Sequence, residues 1–240
     1  RITPISGMML FAVVFYAAGY ILFPMYALVK ESLMGIGQLS FEPYRQFFRS
    51  SLLEASINSI SISLLSVLGS AAVGTFFAYV FTFFEFPAKS FFSKLVLVPL
   101  ALPPLVGVIS FLFLVGESGM LSRVLALLSG ASPSLFTVNG WTGIVVVHVY
   151  SFYVYFYLFV SSGLTQLDGN ALDDSASLCA TRARTILKIL LPILTPSLVG
   201  ASLITFMSSI ASFSAPFLFG GATRYLTLEI YAAKLNGESS

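Results

Sequence analysis

Five stretches without Asp, Glu, Lys or Arg constrain the fold of this chain more than any other feature. They cover residues 2–29, 55–84, 95–116, 124–167 and 189–223, which is 28, 30, 22, 44 and 35 residues. A helix needs about 20 apolar residues to cross a hydrocarbon layer of about 30 Å. Hydrophobic residues also form 57% of the 240-residue chain, more than one water-soluble core could bury. The sequence therefore predicts an integral membrane protein.

The apolar stretches are continuous and do not alternate with polar residues, as VVFYAAGYILF at 13–23 shows. Strands of a membrane barrel would alternate over about ten residues, so we expect an all-α, polytopic protein. Five spans are predicted at 7–29, 56–84, 95–115, 141–163 and 189–213. The tail is too polar to cross lipid, and the chain starts without Met. We therefore expect a piece of a longer protein, with a sixth helix beyond Ser240.

Lysine and arginine counts do not fix the orientation of these spans. With the N-terminus in the cytoplasm, six of these residues lie inside and six outside. On the inside, however, the charges crowd the ends of helices joined by short loops, where the positive-inside rule acts most strongly. This distribution favours a cytoplasmic N-terminus.

One loop concentrates charge between two apolar stretches. Residues 173–192, DDSASLCATRARTILKILLP, hold five of the 22 charged residues. Asp173 and Asp174 precede Arg182, Arg184 and Lys188, which matches the polarity of a helix dipole. At i, i+4, i+7 and i+11 the same helix would carry a stripe of mostly small residues, which are Leu172, Ala176, Cys179 and Ala183. The segment is either a solvated loop or a docking helix, and Pro192 begins the next span.

This segment resembles the cytoplasmic loop of binding-protein-dependent ABC importer permeases, whose pattern is E-A-A, three residues, G, nine residues, I-x-L-P. Asp173, Asp174 and Ser175 stand at the E-A-A positions, and Cys179 stands at the glycine. Ile189, Leu191 and Pro192 match the I-x-L-P block, and ATR from Ala180 resembles the usual ASR. Asp in place of Glu and Cys in place of Gly predict a docking geometry that differs from the family pattern.

Other blocks of the chain also resemble this family. They include SFEPYRQFF at 40–48, VPLALPPLVGVISFLFLVGESGML at 98–121 and SFSAPFLFGGATRYLTLEIY at 212–231. The blocks are most similar to the iron(III), polyamine and thiamine-type permeases. The resemblance implies a type I ABC importer permease fold. Residues 1–55 would hold the first span and an outer amphipathic segment, and residues 56–240 an incomplete permease core with a coupling loop at 164–188.

The resemblance also implies a function and its partners. The chain would be a multi-pass permease subunit of a bacterial-type cytoplasmic (inner) membrane, and not itself an enzyme. It would bind no cofactor directly, because a separate ABC ATPase subunit would hydrolyse ATP. A second permease half or subunit, an extracytoplasmic solute-binding protein and lipid are the other expected partners, with no nucleic acid. The residues expected to dock the ATPase are Leu172, Asp173, Asp174, Ser175, Ala176, Cys179, Ala180 and Ala183.

Two further features fall within the spans. Pro99, Pro103 and Pro104 remove backbone donors from the third span, and broken helices often line substrate pathways. His148 is the only histidine and lies in the fourth span. We therefore treat Pro103, Pro104 and His148 as candidates for pathway lining, although proline is also common in membrane helices. For His148, a hydrogen bond to a neighbouring hydroxyl or carbonyl is the simpler alternative.

Two other functions compete with import. GESG at 116–119 matches the G-x-S-G pattern of intramembrane serine proteases, and Ser118 could pair with His148. A secondary transporter or channel is the second alternative, but no acidic residue lies inside a predicted span to carry coupling ions. The chain also lacks the G-x-x-x-x-G-K-[ST] phosphate-binding pattern, so ATP chemistry would have to belong to a partner.

Overall fold

The computed structural model describes residues 4–35, 38–48, 51–116, 119–130, 132, 137–165, 185, 188 and 190–236. The chain divides into two compact units. The first comprises residues 1–53 together with 233–240, and the second comprises residues 54–232.

The first unit contains one long helical segment with a wide turn in its middle. Helix α1 (Pro4–Ala17), a π-helical turn (Ala18–Leu22) and helix α2 (Phe23–Leu33) follow one another without a break. Pro24 explains the wide turn, because its ring would collide with the carbonyl four residues earlier in a regular helix. The candidate span Gly7–Leu33 extends four residues beyond the predicted 7–29.

A short antiparallel pairing of two-residue strands follows, and the all-α fold class is confirmed. Strands β1 (Met34–Gly35) and β2 (Gln38–Leu39) pair antiparallel, with Met34 opposite Leu39. Glycine at 35 disfavours a continued helix. Helix α3 (Glu42–Phe47) follows, and the Tyr44 hydroxyl lies 2.9 Å from the Ser32 hydroxyl.

Three long helices form the centre of the second unit, and their bounds lie close to the predicted second, fourth and fifth spans. They are α4 (Ser51–Phe83), α9 (Gly140–Thr165) and α10 (Leu191–Ile210). Small residues allow them to approach closely. A methyl group at Gly74 would overlap the carbonyl oxygen of Tyr153 and lie 2.5 Å from Phe156 Cβ. A methyl group at Gly69 would likewise overlap Val149 of α9, so both glycines serve helix packing.

The third span is interrupted, so the prediction of one helix over 95–115 is wrong. The segment forms three short helices, α5 (Lys89–Leu95), α6 (Val98–Ala101) and α7 (Pro104–Val115). Leu102 is extended, with φ −87° and ψ 132°. A residue before proline avoids the helical region, so Pro103 forces this conformation. Helix α8 (Met120–Ser129) follows, and the candidate span here is Pro104–Ser129.

Contacts between distant residues define the two ends of the second unit. At one end, the Asn58 side chain donates to the Arg224 carbonyl, and the Leu226 amide donates to Ser59 Oγ. At the other end, the Tyr153 hydroxyl donates to the Val96 carbonyl over 2.8 Å. Two further helices, α11 (Ser214–Phe219) and α12 (Leu226–Leu235), follow α10. Gly69 and Gly74 of α4 meet Val149 and Tyr153 of α9, so these two helices run in the same direction. Gly163 of α9 meets Ser197 of α10, whereas Phe159 meets Gly200, so α10 runs back, as expected for spans that cross alternately.

Candidate functional site

Helix α4 carries a stripe of buried serines on one face. Ser59, Ser63, Ser66 and Ser70 are spaced at i, i+4, i+7 and i+11, and each is at most 8% exposed. Residues at this spacing share one side of a helix. We call these four residues the serine stripe.

His148 lies against this stripe and joins three spans. Its Nδ1 atom is 3.1 Å from Ser66 Oγ on α4 and 3.0 Å from Ser209 Oγ on α10. The histidine itself belongs to α9 and is 2% exposed. The simpler expectation for His148, a hydrogen bond to a neighbouring hydroxyl, is therefore confirmed. Thr205 lies one turn before Ser209 and is fully buried as well.

The geometry suits a structural connection better than catalysis. With the ring proton on Nε2, Nδ1 accepts a hydrogen bond from a serine hydroxyl. A general base needs an approach for its substrate, whereas this ring is enclosed by three helices. Among the described residues, no group of three or more His, Cys, Asp or Glu side chains could hold a metal ion. The cluster can fix the relative rotation of α4, α9 and α10.

The protease alternative gains no support from this arrangement. The serines that contact His148 are Ser66 and Ser209. Ser118, the candidate nucleophile from the GESG pattern, lies outside the described residues.

The proline candidates lie at two breaks in the helices. Pro103 and Pro104 are exposed where α6 ends and α7 begins. Pro192 lies in the first turn of α10, where a helix does not need its N–H group. His148, the third candidate for pathway lining, lies within the bundle and not at either break. Pathway lining by Pro103, Pro104 and His148 remains a prediction.

The expected docking residues fall in a part of the chain outside the described residues, which stop at 165 and resume at 185. Their docking role remains a prediction from the sequence. They are Leu172, Asp173, Asp174, Ser175, Ala176, Cys179, Ala180 and Ala183.

The described helices on either side of that loop are packed tightly together. A methyl group at Gly163, near the end of α9, would lie 2.8 Å from Ser197 Oγ and 2.9 Å from Leu194 Cδ2 on α10. Leu164, Leu190 and Leu194 belong to the same buried cluster. The helix that enters the loop and the helix that leaves it are therefore in direct contact.

Comparison with known proteins identifies the class. No family model matches the chain. It is 25% identical over 204 residues to the probable ABC transporter permease y4fN of Sinorhizobium fredii, covering 84% of this chain and 36% of that protein. A putative ferric transport system permease, FbpB 1 of Haemophilus influenzae, is 27% identical over 135 residues, covering 56% and 21%. The molybdenum transport permease ModB of Mycobacterium tuberculosis is 33% identical over 147 residues, covering 59% and 53%.

A solved structure gives the same answer for the fold. A chain of a bacterial alginate ABC transporter, in complex with its pentasaccharide-bound periplasmic protein, matches with a TM-score of 0.73 at 19% identity. The match covers 96% of this chain and 83% of that one. This chain is thus a relative of the ABC transporter permeases and has the fold of a type I importer permease. It spans about a third of y4fN and about half of ModB.

Proposed function

We propose that the chain is the transmembrane permease, or one permease half, of an ATP-driven importer in a bacterial-type inner membrane. An extracytoplasmic binding protein would deliver the solute, and a separate ATPase pair would supply the energy. The alginate transporter supports this proposal, because a permease of the same fold occurs there with a periplasmic protein. A second permease half would complete the pathway.

The packing of α9 against α10 carries the mechanism. These helices flank the loop at 164–188, and Gly163 lets them touch without a gap. A displacement of the loop by a closing ATPase pair would therefore pass into both helices at once. The contacts of His148 with Ser66 and Ser209 would transmit this displacement to α4. The three spans would tilt together and alternate the access of the central path.

The solute we propose is of the iron(III), polyamine or thiamine type that the sequence blocks indicated. The relatives differ in solute, since FbpB 1 is named as a ferric permease and ModB as a molybdenum permease. This spread supports the view that the binding protein, and not this chain, makes the selection.

Co-purification tests the proposal. The full protein carrying an affinity tag is expected to retain an ABC ATPase subunit from its own membrane. A variant with residues 170–184 replaced by a Gly/Ser linker of equal length should lose that subunit. Equal replacement of residues 30–40, in the predicted outer segment, serves as the control. Retention of the ATPase by the 170–184 variant would contradict the proposal.

A further inference from the structure

A groove lined by aromatic rings lies where α4, α5 and α9 meet. Its volume is about 460 Å³, and it is bounded by Phe77, Phe81, Phe86, Phe92 and Tyr153, with Leu95 and Val96. The rings lie close together: the Phe77 and Tyr153 centroids are 5.5 Å apart, and those of Phe81 and Phe86 are 5.6 Å apart. We call this feature the aromatic groove.

Helix α5, which forms one wall of the aromatic groove, carries two lysines. Lys94 is exposed and belongs to the same short helix as Phe92 and Leu95, which both line the groove. Lys89 Nζ contacts Glu85 Oε1 at 2.7 Å, but the glutamate side chain is 87% exposed. An ion pair this open to water contributes little to stability, so Lys89 can exchange its partner at low cost. Lys94 is therefore open to an anion at this end of the second unit, and Lys89, whose side chain is 25% exposed, can accept one in exchange for Glu85.

The depth of the aromatic groove matches that of a lipid tail. Phe77 and Phe81 precede Glu85 by eight and four residues, which is roughly 12 Å and 6 Å along a helix. Charged residues at the end of a span lie at the membrane surface, so these rings lie in the outer part of the hydrocarbon layer. The groove has its apolar part below the surface and its cations at the surface, which is the layout of a phospholipid.

We propose that the aromatic groove binds one anionic phospholipid, with an acyl chain against Phe81 and Phe92 and the phosphate at Lys89 and Lys94. Charge complementarity favours a lipid over a second permease chain, because an apolar protein helix would offer no anion to Lys94 and would leave Lys89 with Glu85 alone. An anionic headgroup such as glycerol phosphate would satisfy both. The site is separate from transport itself and does not depend on the solute.

Fluorescence quenching can detect this lipid. The chain has one tryptophan, Trp141, so Phe92→Trp in a Trp141→Phe background gives a single reporter in the groove. We expect phosphatidylglycerol with brominated acyl chains to quench this reporter more strongly than brominated phosphatidylcholine at equal mole fraction in nanodiscs. Equal quenching by the two lipids would overturn the headgroup assignment. No quenching by either would show that protein covers the groove, which would overturn the proposal.

Charge variants test the cations separately. Each of Lys89→Gln and Lys94→Gln should lower the apparent affinity for phosphatidylglycerol about fivefold, as expected for one basic residue at a membrane surface. Arg123→Gln is the matched control, since this exposed arginine lies on α8 and outside the groove. The control should retain the wild-type affinity. A loss as large in the control as in the lysine variants would overturn the site. Unchanged thermal unfolding of all three variants excludes misfolding as the cause.

Discussion

The Nδ1 atom of His148 lies 3.0 Å from the Oγ atom of Ser209, although 61 positions separate the two residues in the chain. Ser66 contacts the same nitrogen from α4 at 3.1 Å. One imidazole therefore holds three spans at one depth in the bundle.

Removal of this connection should lower stability by an amount typical of hydrogen bonds between membrane helices. Ser209→Ala is expected to cost about 0.6 kcal/mol, the average found for such bonds. His148→Ala should cost about 2 kcal/mol or more, because it also empties a buried site. Reversible unfolding in mixed micelles measures both, and in the His148→Ala background the serine change should cost almost nothing. Ser110→Ala, at an exposed serine bonded to its own helix, should leave stability unchanged.

A side chain at Gly74 should disrupt the contact between α4 and α9. Gly74→Ala places a methyl group against the Tyr153 carbonyl and 2.9 Å from the Tyr157 amide nitrogen, and backbone cannot move aside as a flexible side chain can. We expect a loss of about 1–3 kcal/mol, visible as a lower melting temperature. Gly107→Ala is the control, because a methyl group there meets no atom within 4 Å. Equal stability of the two variants would contradict the close approach.

Tyr153 anchors the backbone between α5 and α6. Its hydroxyl donates to the Val96 carbonyl over 2.8 Å, so Tyr153→Phe should lose about 0.5–1.5 kcal/mol. The effect should appear as faster hydrogen exchange of the amides at 96–102. Tyr79→Phe, at an exposed tyrosine on α4, is the matched control. Unchanged exchange in the Tyr153 variant would show that the bond does not hold this segment.

Labelling from the two sides of the membrane can test the orientation. In a Cys179→Ser background, cysteines at Lys94 and Thr165 should react with an impermeant reagent only in inside-out vesicles. A cysteine at Arg224 should react only in right-side-out vesicles, because Arg224 lies at the opposite end of the second unit. The reverse pattern would place the N-terminus outside and would contradict the preference drawn from the loops.

The predicted stripe of small residues at Leu172, Ala176, Cys179 and Ala183 can be tested through the coupling of ATP hydrolysis to transport. Ala176→Trp should abolish solute-stimulated ATP hydrolysis by the assembled importer, because the large ring would prevent close approach of the ATPase subunit. The spans should stay folded, with an unchanged melting temperature. Thr181→Trp, which is off the predicted stripe, should retain stimulation. Full transport by the Ala176 variant would rule out docking through this stripe.

The sequence predicted three of the spans almost to their ends. Long uncharged stretches determine the approximate bounds of α4, α9 and α10, because a span through lipid has to be a continuous apolar helix. For the third span, the sequence predicted the position but not the shape. The prolines indicated a kink, but the division into three short helices depends on how the segment packs, for example through the contact of Tyr153 with Val96. The wide turn at Ala18–Leu22 before Pro24 was missed for a similar reason.

The partners of His148 were also missed, although part of the signal was readable. The spacing of Ser59, Ser63, Ser66 and Ser70 marks one polar face on an apolar helix, which points to a polar neighbour. Ser209 could not be found in this way, because nothing in the sequence fixes the depth at which α10 passes α9. That depth depends on packing details such as Gly163 against Ser197.

The paired prolines have one further consequence. The Leu100 carbonyl would normally accept a hydrogen bond from residue 103 or 104, and both are prolines without an N–H group. Leu100 is also 53% exposed. Acyl chains offer no donor to such an oxygen, so in a bilayer we expect this edge of the bundle to face water or another polypeptide. Two adjacent prolines thus predict which side of a single chain is turned away from lipid, before any partner has been placed beside it.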